Sequence, residues 1–100
     1  MAKGYWIAHV TVKNPERYKD YVAANAAAFK KYDAKFIVRG GACEVGAGKL
    51  LTSSQRHVVV EFESIAVAKA CYDSPEYQSA ARIRDEAAEA SVIIVEGWAG

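Results

Sequence analysis

Residues 57–63, His-Val-Val-Val-Glu-Phe-Glu, constrain the fold more than any other stretch of this sequence. The three consecutive valines are β-branched, and β-branched residues favour strands. The run also lacks the regular polar alternation of a strand that has one face in water. A strand that is apolar on both faces belongs in the interior of a sheet. We therefore expect a central strand here, with other parts of the protein packed against both of its faces.

Patterns on either side of this stretch predict the other elements. Residues 4–12 are aromatic and β-branched, which predicts a strand with Trp6 on one face and Tyr5 on the other. Asn14-Pro15-Glu16 predicts the start of a helix that continues to about residue 32. The remaining predictions are a strand at residues 35–41 that continues toward 45, a loop at 46–54, helices at 65–72 and 75–90, and a strand at 91–97.

The resulting order, β-α-β-β-α-β, predicts an α+β protein of the ferredoxin-like plan. In that plan a four-stranded antiparallel sheet carries both helices on one face, and the first and third strands are central. A chain of 100 residues has the length of one domain, so we expect residues 1–100 to form a single domain.

The second face of this sheet also carries apolar residues, among them Tyr5, Ile7, Ile37 and Val59. Helices on one face leave these side chains in water, as a patch larger than a monomer usually exposes. A second copy of the same sheet, related by a two-fold axis, would cover them. The sequence therefore predicts a homodimer in which two sheets pack against each other around an internal cavity.

Composition argues against several functional classes. The net charge of +1 and the 25% of charged residues give no basic surface for nucleic acid. No apolar run reaches the roughly 20 residues of a membrane span, and no signal-peptide core follows Met1, which predicts a cytoplasmic protein. Cys43 and Cys71 are far apart and have no companion ligands nearby, so we expect reduced thiols and no metal site. We also expect no bound cofactor, because the glycine-containing loop at residues 46–49 does not fit a phosphate-binding loop.

The sequence resembles the DUF1330 family of small bacterial proteins in the dimeric α+β barrel superfamily. The matching segments are Lys3-Gly4-Tyr5-Trp6-Ile7, Asn14-Pro15-Glu16-Arg17-Tyr18 on to Tyr21, Arg39-Gly40-Gly41, Glu61-Phe62-Glu63-Ser64, Tyr72-Asp73-Ser74-Pro75-Glu76-Tyr77-Gln78 and Val95-Glu96-Gly97. The resemblance implies a ferredoxin-like protomer whose sheet packs on its twin, and it implies no established reaction. The loop at residues 46–51 departs from the family pattern, because it lacks the usual acidic and aromatic residues.

The candidate site follows from the strand faces. In a hairpin that places Val45 opposite Gln55, Arg39 faces Glu61 on the side away from the helices. An arginine can clamp an anion or carbonyl group, and a glutamate can orient it or act as a base. His9 lies on the same face and can exchange a proton near neutral pH. The candidate catalytic residues are thus Arg39, Glu61 and His9.

The ligand-binding set adds Tyr5, which shares the face of His9, and the glycines Gly40 and Gly41, which allow a ligand close to the backbone. Weaker candidates are Glu44 and Glu96, which also fit as charges at a sheet edge. His57 fits the solvated end of its strand.

Two functions remain open. One is an enzyme or binder of a small organic molecule in the dimer cavity, working without a cofactor. The other is a non-catalytic dimerisation or ligand-sensing module, in which Arg39 and Glu61 form a structural ion pair.

Overall fold

A computed structural model describes residues 2–100 and places a four-stranded antiparallel sheet beneath three helices. The elements are β1 (Gly4–Val12), α1 (Pro15–Lys31), β2 (Lys35–Arg39), β3 (Arg56–Phe62), α2 (Ile65–Asp73), α3 (Pro75–Ala87) and β4 (Ala88–Glu96). The strand order β2-β3-β1-β4 puts β1 and β3 in the centre. This confirms the predicted ferredoxin-like arrangement and its two central strands.

Helix starts follow the predicted capping residues. The Asn14 side chain accepts a hydrogen bond from the Arg17 backbone N–H at 3.1 Å, and Pro15 follows as the first helical residue of α1. Ser74 ends α2 and caps α3, with an extended backbone at φ −65° and ψ 148°. An extended residue before Pro75 is what the proline ring requires, so one long helix becomes two.

The core lies between the sheet and the helices, around Trp6. Trp6 is 3% exposed and packs against the rings of Phe29, Phe62, Tyr72 and Tyr77, with centroid distances of 4.7–5.4 Å. Its indole N–H donates to the Ala68 carbonyl at 2.8 Å, so the one polar atom of the side chain is satisfied. This packing fixes α1, α2 and α3 on one face of β1 and β3.

The boundary between the last helix and the last strand was predicted wrongly. We expected the helix to reach residue 90, whereas α3 ends at Ala87 and β4 begins at Ala88. Ala88 pairs with Val12, and Ala90 pairs with Val10 in the β1–β4 ladder. Alanine by itself favours a helix. Residues 88–96 instead form backbone hydrogen bonds with β1, and this tertiary pairing outweighs the local preference.

The predicted register between the second and third strands is also wrong. Phe36 pairs with Val60, but the next pair is Val38 with Val59, so Ile37 is an extra residue in a β-bulge. A bulge places two residues opposite one and reverses the alternation beyond it. Arg39 therefore pairs with Val58 and lies on the helix side of the sheet, and the strand ends there rather than continuing toward residue 45.

The face of the sheet opposite the helices, which we call the open face, has no cover within residues 2–100. It carries Ile7, Val38, Val59 and Ile93, which share one side by their pairing. Ile93 is 57% exposed and Val38 is 40% exposed. Apolar residues thus occupy both faces of the central strands, as the sequence predicted.

Candidate functional site

The structure divides the predicted site residues between the two faces of the sheet. Tyr5, His9 and Glu61 lie on the open face, where the sequence predicted them. Arg39 lies on the helix side, so the predicted pairing of Arg39 with Glu61 is wrong. The residue opposite Glu61 is Lys35. The register is thus shifted by four residues from the predicted one, and the bulge at Ile37 in addition moves Arg39 to the other face.

A cavity of about 40 Å³ lies on the helix side, between the sheet and the α1 and α3 helices. We call it the arginine cavity, because Arg39, Arg56 and Arg84 line it from β2, β3 and α3. Tyr18, Tyr21, Asn25 and Tyr77 provide the other polar groups of the wall. The remaining lining residues are aliphatic or aromatic: Trp6, Ala8, Val10, Val22, Phe29, Phe36, Val58, Val60, Ala90 and Val92.

The strand pattern explains how two of the arginines reach this cavity. Arg56 alternates with Val58 and Val60, so its side chain follows theirs to the helix side. Arg39 reaches the same side through the bulge and stacks its guanidinium carbon 4.1 Å from the centroid of the Phe36 ring. Extending the alternation of residues 58–62 back by one step would have found Arg56 from sequence alone.

The Arg56 guanidinium group lies against the backbone of Gly40 and near Tyr18. Gly40 has a φ of 68°, a left-handed conformation that glycine adopts readily. A β-carbon at Gly40 would overlap the Arg56 guanidinium group, whereas one at Gly41 would meet open space. Burial raises the pKa of Tyr18, the neighbouring Tyr21 adds to this, and the Arg56 cation acts in the opposite direction. The close backbone approach predicted at Gly40 thus serves a side chain of the same protein.

Arg84, Tyr77 and Tyr21 form a buried hydrogen-bonded chain along the wall. The Arg84 Nη1 donates to the Tyr77 hydroxyl at 3.1 Å, and the Tyr77 and Tyr21 hydroxyls are 2.8 Å apart. Burial raises the pKa of Tyr77, and the Tyr21 hydroxyl adds to this rise, so the phenol stays neutral. Arg84 also donates from Nε and Nη2 to the Asp85 carboxylate. The spacing of Tyr77 and Arg84, seven residues apart, is the helical repeat that indicates this shared face.

The charges of the arginine cavity are unbalanced. None of its lining residues within the described range 2–100 is an aspartate or glutamate. Arg84 has Asp85 as a partner, but neither Arg39 nor Arg56 forms an ion pair with any of residues 2–100. Guanidinium groups recognise carboxylates in a planar, two-pronged geometry. The arrangement is therefore able to accept an oxyanion.

The polar groups of the open face bind one another. The Tyr5 hydroxyl donates to the Glu61 carboxylate at 3.2 Å. Burial raises the pKa of Tyr5, and the hydrogen bond to Glu61 raises it further. At the other end of the same strands, His9 and His57 pair, and their Nδ1 atoms are 2.9 Å apart. His57, which the sequence placed at a solvated strand end, is therefore a partner of His9.

The described residues contain neither a cluster of metal ligands nor a membrane-spanning helix. Among residues 2–100, no three His, Cys, Asp or Glu side chains are arranged to hold a metal ion. No helix in that range is both long and apolar enough to cross a bilayer. The thiols of Cys43 and Cys71 are both free, the first exposed and the second buried.

Comparison with known proteins agrees with the ferredoxin-like fold of the structure. The sheet order and the helices define a ferredoxin-like α+β protein. The chain belongs to the DUF1330 family, a domain of unknown function, whose family model matches residues 3–98. A search of curated proteins gave no match.

Solved structures support the fold. A protein of unknown function from Rhodopseudomonas palustris, RPA0582, is 18% identical with a TM-score of 0.74, over 99% of this chain and 85% of that one. SnoaB of Streptomyces nogalater, a cofactor-independent oxygenase, is 10% identical with a TM-score of 0.68, over 100% of this chain and 97% of that one. A dimeric protein of ferredoxin-like fold from Bacteroides fragilis is 15% identical with a TM-score of 0.53, over 94% and 95% of the two chains.

Proposed function

We propose that the protein binds a small organic acid at the arginine cavity, with no metal or bound cofactor. The observation that carries this proposal is the presence of Arg39 and Arg56 in the cavity wall without a carboxylate partner in residues 2–100. Arg56 is partly buried and Arg39 is exposed, so a carboxylate at this wall would give both guanidinium groups a charged partner that residues 2–100 do not supply. The site differs from the dimer cavity that the sequence suggested, because Arg39 lies on the helix side.

The size of the cavity limits how the ligand lies. A volume of about 40 Å³ holds a carboxylate group and little more. Arg39 is exposed at the mouth, with its guanidinium over the Phe36 ring. The carboxylate therefore enters between Arg56 and Tyr21, while the organic part of the ligand rests at the mouth against Arg39 and Phe36. SnoaB, which shares this fold, is described as a cofactor-independent oxygenase, so the fold is compatible with chemistry that uses no bound cofactor.

The direct test is a calorimetric titration with sodium benzoate, with benzamide as the uncharged control. Benzoate binds and benzamide binds more weakly, because guanidinium groups select the carboxylate. Arg56→Met weakens benzoate binding by about 1.5–3 kcal/mol, roughly ten- to a hundredfold. Arg82→Met, which removes an exposed arginine outside the cavity wall, leaves binding unchanged. Equal binding of the two compounds, or of the Arg56 and Arg82 variants, would overturn the proposal.

A glycine pair provides a second matched control. Gly40→Ala pushes the Arg56 guanidinium out of place and strains a residue with positive φ, so it weakens benzoate binding. Gly41→Ala adds the same methyl group in open space and leaves binding unchanged. If the arginines serve only stability, as in a non-catalytic module, Arg39→Met and Arg56→Met lower the melting temperature and no carboxylate binds.

We also propose that the protein is a homodimer in which the open faces of two sheets pack together. The exposed Ile93 and Val38 on that face support this, and so does the dimeric B. fragilis protein of the same fold. Light scattering at micromolar concentration gives twice the chain mass of 10.9 kDa. A monomer mass would contradict the dimer and would leave the arginine cavity unaffected.

A further inference from the structure

A second cavity, of about 320 Å³, lies at the end of the open face, between the strand ends and the β2–β3 loop. We call it the histidine cavity, because His9 and His57 both line it. Its volume is within the range of sites that hold whole small molecules, unlike that of the arginine cavity. Val45, Ala47 and Leu51 give it apolar walls, and Glu44 is its one acidic lining residue within residues 2–100.

Hydrogen bonds determine which nitrogen of each histidine carries a proton. The His57 Nε2 lies 2.9 Å from the Thr52 carbonyl oxygen, which can only accept, so Nε2 carries the hydrogen. When both rings are neutral, each imidazole has one N–H, so the Nδ1 of His57 is an acceptor. The Nδ1 of His9, 2.9 Å away, must then be the donor. The Nε2 of His9 is left as a bare acceptor.

This arrangement makes His9 an oriented proton acceptor. Its Nε2 has no hydrogen-bond partner among residues 2–100. A proton added there leaves both existing hydrogen bonds intact, because His9 still donates from Nδ1 and His57 still donates to Thr52. A histidine whose second nitrogen is fixed by a neighbour is the arrangement that lets an imidazole accept a proton from a ligand.

We propose that the histidine cavity is a second binding site, for weakly acidic aromatic alcohols of the phenol type. The hydroxyl of the ligand donates to the His9 Nε2, and its ring packs against Val45 and Leu51. A carboxylate suits this site less well, because it would meet the Glu44 charge, and the neutral histidine pair offers it no free N–H. The two cavities thus select opposite hydrogen-bonding partners, and this proposal does not depend on benzoate binding elsewhere.

The test follows the histidine side chains of the full-length protein by ¹⁵N NMR during titration with phenol, with anisole as the control that lacks the O–H. In the free protein, long-range couplings show hydrogen on Nδ1 of His9 and on Nε2 of His57. Phenol shifts the His9 Nε2 signal, and anisole binds about tenfold more weakly, as expected for loss of one hydrogen bond to a partly buried group. Hydrogen on the His9 Nε2, or equal binding of phenol and anisole, would overturn the proposal.

A variant gives an independent readout. His9→Phe keeps a planar ring of similar size but removes the acceptor, so phenol binding falls at least about tenfold while anisole binding stays as it was. Circular dichroism checks that the variant folds. Unchanged phenol binding in a folded His9→Phe protein would show that the cavity does not use His9. If the variant does not fold, the tautomer measurement on the unaltered protein decides the matter.

Discussion

The helix-covered face and the open face of one sheet differ sharply, although adjacent residues of the same strands build them. Trp6 on β1 is 3% exposed, and Val60 on β3 is 2% exposed, both beneath the helices. Ile93, on the open face, is 57% exposed. Composition does not explain this, since both faces are apolar. Helices attach to one face only, so the other face has no cover within residues 2–100.

The polar side chains of the two faces also differ, because one face presents hydrogen-bond donors and the other presents acceptors. The helix side presents hydrogen-bond donors, from Arg39 and Arg56, with no acidic residue in the wall within residues 2–100. The open face presents acceptors at its end, the His9 nitrogen and the Glu44 carboxylate. One small fold thus offers two chemically complementary cavities on opposite sides of a single sheet.

The largest contrast is expected between core and open-face substitutions. Trp6→Ala removes the ring around which four aromatic side chains pack, and it lowers the free energy of unfolding by about 3–5 kcal/mol. Ile93→Lys places a charge on the open face, so it abolishes self-association and leaves the helix-side packing intact. Denaturant titrations and light scattering measure the two effects. An Ile93→Lys protein that still dimerises would show that the open face is not the interface.

A smaller effect is expected from a single hydroxyl in the wall of the arginine cavity. Tyr77→Phe leaves the Tyr21 hydroxyl and the Arg84 Nη1 without their partner, which costs about 1–3 kcal/mol of stability. Tyr32→Phe is the control, because the Tyr32 hydroxyl forms no hydrogen bond with residues 2–100. Chemical denaturation of both variants measures the difference. Equal midpoints would mean that the buried chain contributes nothing to stability.

The smallest losses of stability are expected from substitutions at the helix caps, and the more buried cap is expected to matter more. Asn14→Ala removes one exposed cap from α1 and costs about 1 kcal/mol. Ser74→Ala costs more, about 2 kcal/mol, because the hydroxyl of Ser74 also donates to the Cys71 carbonyl and is buried. Neither change alters self-association. A larger loss for Asn14→Ala than for Ser74→Ala would contradict this ranking.

Regular patterns allowed most of the fold to be predicted from sequence. The valines of residues 58–60 indicated a two-sided central strand, and the two Pro-Glu pairs marked helix starts. The bulge at Ile37 was not predictable, since isoleucine is a typical strand residue. That single extra residue decided the face of Arg39 and hence the position of the proposed site.

The histidine pair was missed for a different reason. His9 and His57 are far apart in sequence, and only the register of β1 with β3 brings them together. The position of the Thr52 carbonyl depends on the irregular loop that precedes β3, for which periodicity gives no information. Long-range register and loop geometry therefore set the limit of prediction for this site.

The most direct test of the assignment of binding to the helix side is an NMR titration of the full-length protein with benzoate, monitoring side chains on both faces. The account predicts shifts for the Arg56 guanidinium and the Tyr21 ring, and none for Ile93 or Glu61. Shifts confined to Glu61, Tyr5 and His9 would contradict it, because they would place the organic acid on the open face.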